Sequence, residues 1–482
     1  MARLGRTIKW GGAVLLVAWA GMGLWQSIKP LPENVGKAWP ARPVGEVEFL
    51  ADRTWYDEGG RRHLDQQIFD EAVTMIEGAR RLIVVDMFLF NRLEGSGGGD
   101  FLPLAERLAD ALIAARQRQP APRVVVITDP LNTLYGGQRV PLYQRLEAAG
   151  VELAITRLER LRASNPLWSG LWHLGLDRLG NDSDGGWLPN AFGGEPVTLR
   201  SYLALLNFRA NHRKTLTVDH AEGWSTLITS ANPHDGSSLH SNVALRIDGP
   251  VARDVIASEA EVASWSGVEV SQPPAPEAEA EASDRATAQL LTEAAIRDAV
   301  LARVDDTGAG DRLDVAAFYV AHRGVVEALK EARERGAAVR VLLDPNREAF
   351  GFDKGGLPNQ PVAEELLDAG VQVRWCVTDG EQCHSKVVLV RRGPAGDDQA
   401  DAVILGSANL TRRNLDNLNL ESSVLLEGRE VAAIDEIGAW FDQRWDSSDG
   451  RRTSRAWAPR DEAGWFDDWR YRLMEASGLS TF

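Results

Sequence analysis

The stretch His212-Arg213-Lys214-Thr215-Leu216-Thr217-Val218-Asp219, followed by Thr229-Ser230-Ala231-Asn232, decides how this chain folds. A near copy stands in the second half: His384-Ser385-Lys386, then Gly406-Ser407-Ala408-Asn409. Positions two apart on a strand share a face. His212 and Lys214 are thus expected on one face at the head of a strand Lys214–Asp219, and His384 and Lys386 at the head of Lys386–Arg391. Thr226–Ser230 and Val403–Ser407 read as neighbouring strands that deliver Asn232 and Asn409 at their ends. A lone His-x-Lys is most often an ordinary strand pair. Two copies, each followed at similar distance by Ser-Ala-Asn, point to a duplicated half-site.

The surroundings repeat as well. In the first half, helix Phe69–Ala79 leads to strand Leu82–Phe90, helix Leu102–Ala115 to strand Val124–Thr128, and helix Pro141–Ala149 to strand Val151–Thr156. In the second, helix Glu293–Val304 leads to strand Leu313–Val320, helix Gly324–Arg335 to Val339–Leu343, and helix Val362–Ala369 to Val371–Val377. Asp129-Pro130 matches Asp344-Pro345, and Ala149-Gly150-Val151 matches Ala369-Gly370-Val371. Apolar strands alternating with amphipathic helices predict an α/β fold: two similar α/β/α halves, each a mixed sheet covered by helices.

The paired clusters suit the chemistry of a phosphodiester. Attack at phosphorus concentrates charge on the equatorial oxygens, which fixed cations and hydrogen-bond donors stabilise. Lys214 and Lys386 supply the charge, and Asn232 and Asn409 the amide donors, with Ser230 and Ser407 as weaker ones. A neutral imidazole can attack phosphorus, and a protonated one can give its proton to the leaving alkoxide. Two histidines in different surroundings meet both needs at one pH.

These motifs resemble the phospholipase D superfamily, whose signature is HxKxxxxD followed by GSxN, twice per chain. The resemblance covers the chain from about Glu46 to Gly428, and the run Asn207–Lys214 looks especially like bacterial cardiolipin synthases. It implies one active site at the interface of the halves and no metal or other cofactor. It makes His212 the nucleophile and His384 the general acid and then base, with Lys214, Lys386, Asp219, Asn232 and Asn409 completing the catalytic set. Glu421 fits a supporting carboxylate seen after the second GSxN, and the first half offers His240 or Asn242 there instead. Two departures stand out: Arg391 replaces the second Asp, and Thr229 the first Gly.

The chain has 482 residues, 44% of them hydrophobic and 25% charged, which suits two globular halves with real cores. Its net charge of −16 argues against nucleic acid as the main partner, because such binding relies on clustered Lys and Arg. Eight histidines are scattered without a four-ligand spacing, so no metal site is expected. The two cysteines, Cys376 and Cys383, flank a turn just before His384; they read as a disulfide or as two buried thiols. Residues 1–28 read as a membrane anchor or a cleaved signal, with Arg3, Arg6 and Lys9 ahead of the uncharged run Trp10–Ile28 and an A-x-A pattern at Ala18-Trp19-Ala20. The basic flank puts the bulk of the chain outside the cytoplasm, on the periplasmic or extracellular face.

The remaining boundaries follow: 29–45 a Pro-containing tether, 46–268 the first half, 269–287 a flexible acidic Pro/Ala linker, 288–448 the second half, and 449–482 a Trp-rich cap. Glu94–Gly99 and Gly393–Asp401 read as surface loops. Pro166–Leu179 places Leu167, Trp168, Leu171, Trp172 and Leu179 on one helical stripe, which suits core packing, a lid, or an interfacial helix. Asp86 and Tyr319 are candidates for lining the cleft. The expected activity is therefore that of a phospholipase D-type phosphodiesterase or phosphatidyltransferase on phospholipids. The alternatives are a nuclease-type phosphodiesterase and a catalytically silent membrane-tethered binding protein. These grounds leave the oligomeric state open.

Overall fold

Apolar β-branched runs form the strands at the centre of each half. In the computed structural model these are Leu82–Met87 and Arg123–Thr128 in the first half, and Arg312–Ala317 and Ala338–Leu343 in the second. The described residues are 2–93, 100–181, 185–191, 194–221, 223–271, 283–346, 348–349, 352–353, 355–393, 399–458 and 465–477. The expected loop Glu94–Gly99, part of Gly393–Asp401 and most of the 269–287 linker lie outside them.

The first-half sheet has eight strands and the second nine. Seven run in the same order in both. In the first half the order is Val47–Tyr56, Asn242–Asp248, Gly223–Thr229, Lys214–His220, Leu82–Met87, Arg123–Thr128 and Glu152–Ile155. In the second it is Ser283–Thr292, Ser422–Gly428, Asp401–Gly406, Lys386–Arg391, Arg312–Ala317, Ala338–Leu343 and Gln372–Cys376. The last three strands of each run are parallel and the rest antiparallel, so both sheets are mixed.

Each sheet buries one face under helices of its own half. Ile76, Leu108, Leu112 and Leu146 cover the first, and Val300, Val326, Leu329 and Leu366 the second. The other faces meet. Ile228, Val243 and Leu245 from the first sheet share one apolar cluster with Leu389, Leu405, Val424 and Leu426 from the second. Trp440 and Phe441 of the helix Ala432–Asp446 join that cluster, which makes the interface part of the hydrophobic core.

The segment 29–45 is not a free tether. Trp39 is buried, its N–H donates to Leu290 O at 2.9 Å, and Arg42–Val44 pairs as an edge strand with Ser283–Thr292. Prolines hid this strap, because they interrupt any period in the sequence. Gly36, at φ +74°, carries it past Asn417, where a Cβ would lie 2.5 Å from Oδ1. Ser454–Ala456 extends the second-half sheet beside Gln372–Cys376, and Tyr471 of the helix Trp465–Ser477 is fully buried.

Asp219 was expected in the catalytic set, but it sits at the opposite end of its strand from Lys214. Its carboxylate accepts from the backbone N–H of Arg80, Arg81 and Leu82 at 3.3, 2.7 and 2.8 Å, and from Arg81 Nε at 3.0 Å. It thus braces the start of Leu82–Met87. In the second half Arg391 instead pairs with Asp435, and Asp311 accepts from the N–H of Gly308 and Gly393 at 3.0 and 2.9 Å. Thr229 needs no glycine, since its hydroxyl donates to Val243 O at 2.9 Å, whereas a Cβ at Gly406 would lie 2.4 Å from Ser422 O. Asp219→Ala strips buried N–H groups of their acceptor. It is expected to cost about 2–4 kcal/mol, read as a lower urea midpoint, without changing the chemistry of the cleft.

Candidate active site

Both HxK motifs begin where a loop from the opposite half holds the backbone. His212 N–H donates to Leu420 O, and Leu420 N–H returns a bond to Ala210 O, both at 2.9 Å. In the second half His384 N–H donates to Ser241 O at 2.9 Å, and Ser241 N–H to Gln382 O at 3.0 Å. The matched aspartates act just upstream. Asp129 accepts from Asn211 N–H, and Asp344 from Cys383 N–H, each at 2.7 Å. Burial raises both carboxyls to about 7. Cys376 and Cys383 are joined in a disulfide next to His384.

The crossing extends to the side chains. His212 Nδ1 lies 2.9 Å and 3.0 Å from the two oxygens of Glu421, a second-half residue. His384 Nδ1 lies 3.0 Å from Asn242 Oδ1, a first-half residue. Ser407 donates to Glu421, as does Asn414, while Ser230 Oγ donates to Asn242 Oδ1 at 3.1 Å. The two serines were expected as minor phosphoryl donors, but their hydroxyls are engaged in orienting the groups that hold the histidines. His240 stands beside His384, with ring centroids 6.0 Å apart, but its Nδ1 accepts from Gln382 N–H at 3.2 Å.

The histidines and lysines of the two motifs sit in matched cradles. Lys214 Nζ donates to His212 O and Lys386 Nζ to His384 O, both at 2.7 Å. Phe88 lies under His212 with centroids 4.7 Å apart, and Phe318 under His384 at 5.1 Å. The ammonium groups stand 5.1 and 5.3 Å from the same two rings. Asn232 Oδ1 accepts from Leu89 N–H at 3.2 Å. Asn409 is 6% exposed, and its Oδ1 has no partner among the described residues.

Electrostatics tie the two cradles into one site. Burial lowers His212 to about 4, while the Glu421 carboxylate opposes that shift. His384 is held well below the usual imidazole range, by burial first, then by the charges of Lys386, His240, Lys214 and His212. Burial brings Lys214 to about 7 and holds Lys386 well below its ordinary range, with Lys214 adding to the effect. Each half therefore feels the cations of the other. A cluster of cationic groups that resist protonation is a site prepared for an anion, whose arrival favours the charged forms.

Several functional neighbours escaped the sequence. Arg213 is fully buried beneath the site, donating to Glu259 at 3.2 Å and to Glu293 of the other half at 2.9 Å. Glu293 also accepts from Glu421 N–H at 2.9 Å. Asp86, a candidate for the cleft wall, is fully buried instead; Asn211 Nδ2 donates to both its oxygens at 2.8 and 2.9 Å. Tyr319 is likewise buried, with burial raising its hydroxyl pKa. Among the described residues no group of three or more His, Cys, Asp or Glu has a metal-binding arrangement.

Residues 307–445 match the family model described as cardiolipin synthase, PLD-like domain. No curated protein matches the sequence. Among solved structures, phosphatidylserine synthase of Haemophilus influenzae Rd KW20 aligns over 93% of this chain and 97% of its own, with a TM-score of 0.53 at 11% identity. Polyphosphate kinase from Porphyromonas gingivalis aligns over 90% of this chain, which spans 56% of the kinase, with a TM-score of 0.45 at 12% identity. The phospholipase D family member Nuc from Salmonella typhimurium aligns over 36% of this chain and 99% of its own, with a TM-score of 0.27 at 19% identity. The likeness to the synthase extends the shared fold over nearly the whole of both chains.

His212 is expected to remain neutral until the pH falls to about 4. Glu421→Gln removes the charge that opposes burial, so it should move the titration to still lower pH. Nitrogen-15 NMR of labelled histidine rings in the detergent-solubilised full chain would measure both.

Proposed function

From the match of residues 307–445 to a cardiolipin synthase PLD-like domain, and from the fold shared with phosphatidylserine synthase, we propose that this chain is a membrane-tethered phosphodiesterase of the phospholipase D type that acts on phospholipids through a covalent phosphohistidine. The observation that carries the role assignment is the unequal pair of crossed supports. A carboxylate faces His212 Nδ1, and a neutral amide faces His384 Nδ1. Each acceptor keeps the proton on Nδ1 and leaves Nε2 facing the reaction. Glu421 also stabilises the positive charge that His212 gains when it attacks. Asn242 gives no such help, so a proton on His384 is the more acidic and the more readily donated.

In the first step the Nε2 lone pair of His212 forms a P–N bond. The P–O bond to the departing alcohol breaks, and the proton on His384 Nε2 passes to that oxygen. In the second step His384, now neutral, takes a proton from the incoming hydroxyl. The new P–O bond forms and the P–N bond breaks. His384 must start protonated. Burial and nearby cations oppose this in the empty site, and the substrate's own negative charge reverses the balance. Lys214, Lys386, Asn232 and Asn409 serve the equatorial oxygens. A lipid hydroxyl as acceptor yields a new diester lipid, as in cardiolipin synthesis; water yields phosphatidic acid.

The tethering reading is supported by the helix Ala2–Ile28, whose span Lys9–Ile28 is long and apolar enough to cross a membrane. The last turns of that helix are built into the protein, which favours an anchor over a cleaved signal. Gln26 Oε1 accepts from Arg209 Nη2 at 2.8 Å and from Lys29 Nζ at 2.9 Å. Gln26 O accepts from Ala163 N–H at 2.9 Å. The basic flank and the disulfide agree with a body outside the cytoplasm.

His212→Ala is expected to abolish turnover of phospholipid in liposomes and to form no adduct. His384→Ala should lower turnover by about 10²–10⁴-fold and accumulate phosphohistidine, seen by acid-labile ³²P labelling. The reverse pattern would exchange the roles. Cleavage of single-stranded DNA with phospholipid left intact would make the chain a nuclease.

A further inference from the structure

Large apolar side chains are exposed in an uneven pattern. Among the described residues, eight lie on the N-terminal helix and seven between positions 167 and 206, against four elsewhere. The second group includes Leu167 at 67%, Leu171 at 44%, Leu179 at 61% and Trp187 at 70%. Monomeric proteins seldom leave such a concentration uncovered without a partner.

The two groups are physically joined. The expected stripe Pro166–Leu179 is not one helix. It ends at Trp172, and Gly175, at φ +149°, turns the chain into a short 3₁₀ segment, Leu176–Arg178. The helix Pro166–Trp172 packs directly on the N-terminal helix. Trp19 Nε1 donates to Leu167 O at 2.7 Å. The backbones come so close that a Cβ on Gly23 would lie 2.9 Å from Pro166 O, and one on Gly170 would lie 2.8 Å from Trp19 O. Such small-residue contacts are how helices associate where no water is present to drive them together.

Depth follows from this packing. Trp19 lies nine residues inside the end of the span, roughly 13 Å along the helix axis. Whatever surrounds the exposed Leu24, Trp25 and Ile28 must also surround the exposed Leu167 and Leu171. Arg157, Arg160 and Arg178 are exposed nearby, with Glu159 and Glu195 exposed acidic residues of the same region. That charge suits the phosphate layer of a bilayer.

We propose that the exposed apolar side chains from Leu167 to Leu179, with Trp187, Leu199 and Leu206, form a second membrane-contacting surface that enters the same leaflet as the end of the anchor, so that the enzyme draws its substrate sideways out of that leaflet. The occupant of this apolar surface is lipid, because the surface is continuous with a helix of membrane-spanning length. The inference rests on the membrane-tethered reading above, and it gives that reading a source for its substrate. The coupling to the site is short. Ser169 Oγ donates to Asn207 Oδ1 at 2.8 Å, Trp168 Nε1 donates to Leu203 O at 2.8 Å, and Arg209 reaches Gln26. The segment Asn207–Asn211 then runs directly into His212, so the cleft is held at a fixed height over the leaflet.

The test uses the full chain in phosphatidylglycerol/phosphatidylcholine liposomes. A nitroxide is placed by Leu171→Cys, or by Leu64→Cys on the strand Arg62–Asp65 as an aqueous reference. The native cysteines are bridged and do not react. At position 171 the label should be accessible to oxygen and shielded from a water-soluble nickel chelate, the opposite of position 64. Nickel access at 171 equal to that at 64 would overturn the proposal. So would spin–spin broadening at 171 that vanishes on dilution with unlabelled protein, which would make a second copy the occupant. Leu167→Ser/Leu171→Ser/Leu174→Ser should lower turnover of bilayer phospholipid by about tenfold, and change turnover of a monomeric short-chain phospholipid by less than about twofold. An equal fall on both substrates would overturn the link to substrate supply. The depth measurement needs no turnover, so a label buried in lipid beside an inactive enzyme would sink the catalytic reading alone.

Discussion

Everything at the centre of this molecule depends on crossed support. The histidine of each half is oriented by a side chain from the other: Glu421 for His212, Asn242 for His384. The backbone repeats the exchange, with Leu420 O receiving His212 N–H and Ser241 O receiving His384 N–H. Neither half alone can fix its own imidazole. Beneath the site, Arg213 spans Glu259 and Glu293, one from each half. A fully buried ion pair does little for net stability, yet breaking it leaves an uncompensated charge in the core. The halves are thereby held to one register.

Within that twofold plan, one asymmetry matters chemically. The cradles match in lysine, phenylalanine, asparagine and capping aspartate. They differ in the acceptor behind the histidine. A carboxylate and an amide make the two rings unequal in basicity, which the proposed mechanism with one nucleophile and one acid requires. A perfectly symmetric site would have to break the tie on binding an asymmetric substrate. Here the protein has broken it in advance, through Glu421 and Asn242.

Much of the fold was legible because strand and helix periods differ and the halves repeat. Leu82–Met87, Arg123–Thr128, Arg312–Ala317 and Ala338–Leu343 all fall where apolar runs placed them, to within a few residues. The misplaced features share a cause. Asp219 lies on the motif strand, but five residues of extended chain carry it far from Lys214, to a set of backbone N–H groups no sequence period records. The serines stand beside the asparagines in sequence, yet their hydroxyls turn to Asn242 and Glu421. The strap Arg42–Val44 and the broken stripe Pro166–Leu179 were misread because proline and a left-handed glycine set local direction without setting what the chain packs against.

The sequence by itself determined the duplication, the succession of strands and helices along each half, and the set of imidazoles, amines and amides, because these depend on residue type and on spacing along a few residues. Only the tertiary structure decided which acceptor stands behind which histidine, that Arg213 joins the halves, and that the short helix Pro166–Trp172 packs onto the distant N-terminal helix. Those contacts join groups remote along the chain, and their geometry follows from how two sheets meet face to face rather than from any local preference of the backbone.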